Sequence, residues 1–189
     1  MVLAFHKPYG VLCQFTRNEP GQRTLADFGF PAEVYPVGRL DQDSEGLLLL
    51  SDEPGFNNRL LHPSTAHPRT YRVQVDGTPT PEALERLRRG GLIIDGHRSR
   101  PCRVHVPDPQ PVVPPREPPV RFRKSIPTTW IELTLTEGKN RQVRRMTAAV
   151  GFPTLRLIRV VIGRLEGQGL AEGAWKRLTP EELALVWAR

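Results

Sequence analysis

The stretch Gly38-Arg39-Leu40-Asp41-Gln42-Asp43-Ser44-Glu45-Gly46-Leu47-Leu48-Leu49-Leu50-Ser51-Asp52 decides how the rest of the chain is read. Its second half is a run of four leucines, too short for a helix and suited to a strand buried on both faces. Its first half is polar and follows Pro36 and Gly38, so it reads as a turn that delivers acidic side chains to the mouth of that strand. Asp43, Ser44 and Glu45 read as solvated turn residues that satisfy local backbone N–H groups. Asp41 differs, because Arg39 lies two positions before it on an apolar extended segment. A neighbouring cation keeps a carboxylate ionised in a partly dry site.

Two other readings fit the same acids. Asp41, Asp43, Glu45, Gly46 and Asp52 fall in the register of a calcium loop, but such a loop needs flanking helices, and Pro36, Gly38 and Pro54-Gly55 stand where they would be. Asp41 and Asp43 also have the alternate spacing of a glycosidase pair. A turn does not keep the strand alternation that this pairing requires.

Working outward, Leu3 and Phe5 form a strand that Lys7-Pro8-Tyr9-Gly10 stops, and Leu12–Thr16 resumes an extended pattern. Thr24–Phe28 fits one helical turn, and Val34–Leu40 an interrupted extended segment. Phe56, Leu60 and Leu61 give a short helix ending before Pro63. Tyr71–Val75 alternates as a strand, and Pro81–Arg89 is a helix with Leu84 and Leu87 inward and Gly90-Gly91 as its stop. Strands are expected at Leu92–Asp95, Cys102–Val106, Trp130–Thr136, Arg156–Ile162 and Ala174–Leu178. Pro107–Pro119 carries seven prolines and reads as an extended, polyproline-like connection. Asn140 is expected to cap a helix from Arg141 toward Val150, with Val143, Met146 and Val150 inward. Thr179-Pro180-Glu181-Glu182 opens a last helix that buries Leu183, Leu185 and Val186. Strands with intervening helices make the class α+β.

The 189 residues hold 27 Lys and Arg against 20 Asp and Glu, and the resulting +7 favours a polyanionic partner. Two distant cysteines, Cys13 and Cys102, indicate neither a disulfide framework nor a zinc site. Leu47–Leu50 is the longest aliphatic run, far short of a membrane span. The chain reads as a soluble cytoplasmic protein that uses no metal and touches no membrane.

Three motifs carry a resemblance. Gly38-Arg39-Leu40-Asp41 with Asp43–Asp52 resembles the signature of the RsuA family of RNA pseudouridine synthases. Lys7-Pro8-Tyr9-Gly10 is similar to that family's opening motif, and Glu137-Gly138-Lys139-Asn140-Arg141-Gln142-Val143-Arg144-Arg145-Met146 to its last. Cys13–Thr16, Arg123–Thr128 and Gly151–Arg159 look like the RluE branch, which acts on large-subunit ribosomal RNA. The resemblance covers nearly the whole chain.

It implies a pseudouridine synthase fold with a mixed, mainly antiparallel central sheet and two subdomains around a basic cleft, the boundary near residue 64. It implies one catalytic domain over 1–189, acting as a monomer without a cofactor on ribosomal RNA or an assembly intermediate. Uracil is detached from its sugar, turned and rejoined through carbon. Asp41 is then the catalytic carboxylate, either as nucleophile or as base. Tyr71 contacts the target base, and Arg144 pairs with the carboxylate. Arg39 fills the space of the flipped nucleotide or contacts the backbone. Lys7, Lys124, Lys139, Arg141, Arg145 and Arg156 are expected to contact RNA, with Arg116, Arg121, Arg123, Arg159 and Arg164 as further cations along its path. The motifs begin at Lys7, so the small S4 domain that many members carry in front is expected to be missing, and Pro107–Lys124 is expected to help select the target. The reading from another class is a non-catalytic RNA-binding or ribosome-assembly factor that retains the cleft.

Overall fold

The computed structural model describes residues 1–121 and 125–188. In chain order the strands and helices are β1 (Val2–Lys7), β2 (Tyr35–Pro36), β3 (Glu45–Ser51), α1 (Phe56–Leu61), β4 (Arg69–Asp76), α2 (Pro81–Arg89), β5 (Ile93–Ile94), β6 (His97–Arg98) and β7 (Arg103–His105). After these come β8 (Thr128–Leu135), α3 (Gln142–Ala149), β9 (Thr154–Ile162), β10 (Leu165–Glu166), β11 (Trp175–Arg177) and α4 (Pro180–Trp187). The chain forms two compact units, Met1–Arg69 with Ile158–Arg189, and Thr70–Leu157. The class is α+β, as the sequence predicts, and pairing is antiparallel except between β3 and β9 among the strand pairs of the first unit.

In the first unit β3 lies beside β1, and all seven of its residues are buried. Leu47 and Leu49 join Val2, Ala4, Phe56, Leu60 and Val186 on one face. On the other face Leu48 sits opposite Phe5 and Leu50 opposite Leu3, where Phe5 packs on Phe28 and Phe30. Apolar layers on both sides explain why the leucine run does not alternate with polar residues. Burying each leucine contributes about 1.5–3 kcal/mol.

The C-terminal helix begins as expected: Glu182 N–H donates to Thr179 Oγ1 (3.2 Å) and Thr179 N–H to Glu182 Oε2 (3.0 Å). Val186 is buried, but Leu185 is 41% exposed, contrary to expectation. It lies about 200° around the helix from Leu183, on the opposite face. The expected strand at Leu12–Thr16 is also absent. Leu12 makes an isolated bridge to Thr24, and then Gln14 N–H donates to Leu12 O (2.9 Å), a tight turn that interrupts the extended run.

In the second unit β8 lies between β4 and β7. Val73 and Val75 of β4 and Ile131, Leu133 and Leu135 of β8 face a core closed by Leu84 and Leu87 of α2 and by Val143 and Met146 of α3. The opposite face is polar, where Arg72 pairs with Glu132 (2.8 Å) and Thr70 Oγ1 with Thr134 Oγ1 (2.8 Å). The strand β7 pairs with β8 only from Glu132 to Thr134. At Trp130 the side-chain amide of Gln110 takes its place, accepting from Trp130 N–H (2.7 Å) and donating to Trp130 O (3.1 Å). Arg156 holds the same proline-rich segment by donating from Nη1 to Pro114 O (2.6 Å). Among the described residues no helix is long and apolar enough to cross a membrane.

Candidate active site

Asp41 sits half-buried on the turn that enters β3, closed by Ser44 N–H donating to Asp41 O (3.0 Å). This turn is laced to the segment after β1. Gly10 N–H donates to Gln42 O (2.8 Å), and Gln42 Nε2 donates back to Gly10 O (3.3 Å). Beneath it lies Lys7, with a fully buried side chain whose ammonium donates to Ser44 O (2.7 Å) and Pro8 O (2.9 Å). Lys7 therefore does not reach phosphate, contrary to the expectation above. It follows the same strand face as Leu3 and Phe5, so strand periodicity already pointed it inward.

Burial pushes the Lys7 ammonium down to about 8, while Cys13, Glu45, Asp43 and Asp41 pull the other way. The folded value lies below the ordinary 10.5 of an unfolded lysine. Between those values the unfolded chain holds the extra proton, so stability from this site rises with pH there and is lost as pH falls toward 8. Lys7→Met leaves the Ser44 and Pro8 carbonyls without their cation and is expected to cost about 2 kcal/mol at neutral pH. In denaturation at pH 7 to 10 the gap between wild type and variant should widen with pH. A constant gap would show that the ammonium carries no desolvation cost.

Ser44 and Glu45 are 1% and 2% exposed, which overturns their reading as solvated turn residues. The strand begins earlier than the leucine pattern suggests. Glu45 and Gly46 already pair in parallel with Ile158 and Arg159. Arg159, also expected along the RNA path, is buried and donates from Nε to Leu47 O (2.7 Å). It secures the parallel pair from inside.

In the second unit Tyr71 stands on β4 and packs half-buried against the core cluster to which Val143 and Met146 of α3 also belong. Arg144 is half-buried on α3, and its carbonyl accepts from Thr147 Oγ1 (3.1 Å). The helix starts differently from expectation, because Asn140 does not cap it. Arg141 occupies the cap position in a left-handed conformation (φ 51°, ψ 33°). Gln142, 4% exposed, ties the loop instead: its Oε1 accepts from Lys139 N–H (3.0 Å) and its Nε2 donates to Glu137 Oε1 (2.5 Å). An amide that both donates and accepts organises two loop groups, whereas the Asn140 side chain is exposed.

The remaining expected RNA contacts divide. Arg39, Lys139 and Arg141 are exposed. Arg145 Nη1 is 2.6 Å from Asp95 Oδ2, so it tethers the β5–β6 hairpin to α3. Arg156 and Arg116 are 6% and 8% exposed and hold carbonyls of the proline-rich segment, which corrects their expected role at the RNA surface. Burial removes a cation from phosphate reach even where the sequence looks basic. Lys124 and Arg123 lie outside the described residues. Sequence reasoning missed Gln142 and Asp95. Asp95-Gly96 is a hairpin signal that was legible, but its pairing with Arg145 joins positions fifty residues apart.

Comparison with known proteins gives the family of the chain. The family model described as RNA pseudouridylate synthase matches residues 1–149. The chain is 56% identical over 164 residues to ribosomal large subunit pseudouridine synthase E of Xanthomonas axonopodis pv. citri (strain 306), covering 86% of each chain. It is 51% identical over 177 residues to the protein of the same name from Xanthomonas campestris pv. campestris, covering 93% of this chain and 94% of that one. A pseudouridylate synthase crystal structure superposes with a TM-score of 0.79 at 25% identity, covering 98% of this chain and 73% of that one. The chain belongs to the RNA pseudouridylate synthase family.

Proposed function

We propose that this protein isomerises a specific uridine to pseudouridine in large-subunit ribosomal RNA, as a monomeric cytoplasmic enzyme with a single catalytic domain. The observation that carries this reading is the identity of 51% across almost the full length of a relative named for that activity. Asp41 supplies the carboxylate, as nucleophile toward the sugar or as base, from a turn fixed by Lys7 and Gly10. Tyr71 contacts the uracil ring, and Arg144 stabilises the carboxylate charge. Arg39, Lys139 and Arg141 are exposed cations suited to the phosphates around the flipped nucleotide.

The reaction breaks the bond from sugar to uracil nitrogen, forms one from sugar to C5, and releases the C5 proton to water while the freed nitrogen takes up a proton. Large-subunit RNA carrying tritium at uracil C5 should therefore lose label in proportion to product, whereas small-subunit RNA should keep it. Release from neither RNA, nor from a precursor particle, overturns the proposal.

A further inference from the structure

The charge of the molecule is divided very unevenly. The unit Met1–Arg69 with Ile158–Arg189 holds eleven Lys and Arg against twelve Asp and Glu, whereas Thr70–Leu157 holds sixteen against eight. The whole positive excess therefore belongs to the second unit. Within it, several of the cations lie on segments that pack against one another. The C-terminal turn of α2 carries Arg86, Arg88 and Arg89. The chain from 98 to 103 folds back on that turn: Cys102 N–H donates to Arg88 O (3.1 Å), Arg88 Nε donates to Val104 O (3.1 Å), and Gly91 N–H donates to Ser99 O (2.7 Å). At Gly90 the two segments are so close that a Cβ would lie 2.5 Å from the Arg100 carbonyl carbon.

This packing sets Arg98 and Arg100, which flank the buried Ser99, beside the exposed Arg89, whereas Arg103, cross-strand from Thr134, belongs to the polar face away from α2. Glu85 engages Arg88 and Arg89, and Glu137 lies 3.9 Å from Arg100. Among the described residues Arg98 has no acidic partner. Three arginines at a helix C-terminus also suit the helix dipole. That explanation does not extend to Arg98, which stands on a strand. Nor does it explain Ile93, which is 64% exposed and sits directly across the hairpin from Arg98. A cation beside an exposed aliphatic group suits a polymer that offers phosphate next to sugar and base.

We propose that the surface made by the end of α2, the β5–β6 hairpin and the chain at Arg100 is the track on which the phosphate backbone of the RNA lies. The inference rests on the reading of the protein as an RNA-modifying enzyme and names the face that holds the substrate outside the catalytic residues. It has a mechanical corollary within the same unit. The hairpin is tied to α3 through Asp95 and Arg145, so the phosphate track is braced against the helix that carries Arg144.

The test is the salt dependence of binding. A fluorescein-labelled fragment of large-subunit RNA is titrated with the full chain from about 50 to about 300 mM KCl, a range in which each lost phosphate contact lowers the log–log slope by about 0.7–0.9. The triple variant Arg89→Gln, Arg98→Gln, Arg100→Gln is expected to flatten the slope by about 2 and weaken low-salt binding about tenfold or more. The pair Arg59→Gln, Arg177→Gln in the other unit removes exposed charge and should keep the wild-type slope. Arg98→Glu alone, at an exposed hairpin position, should weaken binding with an unchanged thermal midpoint. An unchanged slope in the triple variant, or an equal change in the control pair, overturns the proposal. Because the readout is binding by wild type and variants, it stands apart from the tritium assay, whose failure would instead remove the catalytic reading.

Discussion

Asp41→Asn is expected to lower tritium release from uracil C5 by at least about a thousandfold while leaving RNA affinity within about threefold of wild type. The turn that presents Asp41 is held through backbone groups: the Asp41 carbonyl accepts from Ser44 N–H, and the Gln42 carbonyl accepts from Gly10 N–H. None of these bonds involves the carboxylate, and an amide of nearly the same size keeps the turn filled. What disappears is the anionic oxygen, which both mechanistic alternatives require. A nucleophile needs it to form the bond to the sugar, and a base needs it to take a proton. Single-turnover assays with enzyme in excess separate the chemical step from product release. A variant that retains a tenth of the wild-type rate would remove Asp41 from the chemistry. Loss of affinity in parallel with rate would make it a binding residue.

The second large effect concerns folding. Gly46 stands at φ +98°, and a Cβ there would lie 2.3 Å from Arg159 O and 2.9 Å from Arg159 N. Both obstacles are backbone of the parallel partner β9, so no rotamer change relieves them. Gly46→Ala is therefore expected to destabilise the chain by about 4 kcal/mol or more, shifting the thermal midpoint down by over ~10 °C. Gly55→Ala provides the comparison. Gly55 also has positive φ (+78°) but nothing within 4 Å of its Cβ position, so only the conformational cost of about 1 kcal/mol remains. Equal midpoints for the two variants would show that the close approach of β3 and β9 is not what requires glycine at 46.

The contrast between these glycines shows what the sequence could convey. Periodicity located the buried strands and the inward residues Leu84, Leu87, Val143 and Met146, because apolar spacing is a direct consequence of facing a core. Capping at Thr179 was legible because both of its partners lie within four residues. Asn140 misled for the complementary reason: the start of α3 is organised by Gln142 reaching back to Glu137 and Lys139. Polar character suggested solvent at Lys7, Ser44, Glu45 and Arg156, yet each is buried. A buried polar group is specified by the partner that satisfies it, and those partners lie 37 residues from Lys7 and 42 from Arg156. Asp41 was singled out by its motif and by Arg39 two positions before it, whereas the loop that clamps its turn carried no such signal.

The side-chain amide of Gln110 at Trp130 has an effect beyond local order. Where the short β7 stops, β8 would otherwise present an open rung, with one unpaired N–H and one unpaired C=O, to any extended chain in solution. Gln110 occupies both groups, and the prolines around it cannot themselves template another strand. The segment thus acts as a terminator for sheet growth, so that crowded molecules of this protein meet at a blunted margin instead of adding to one another edge to edge.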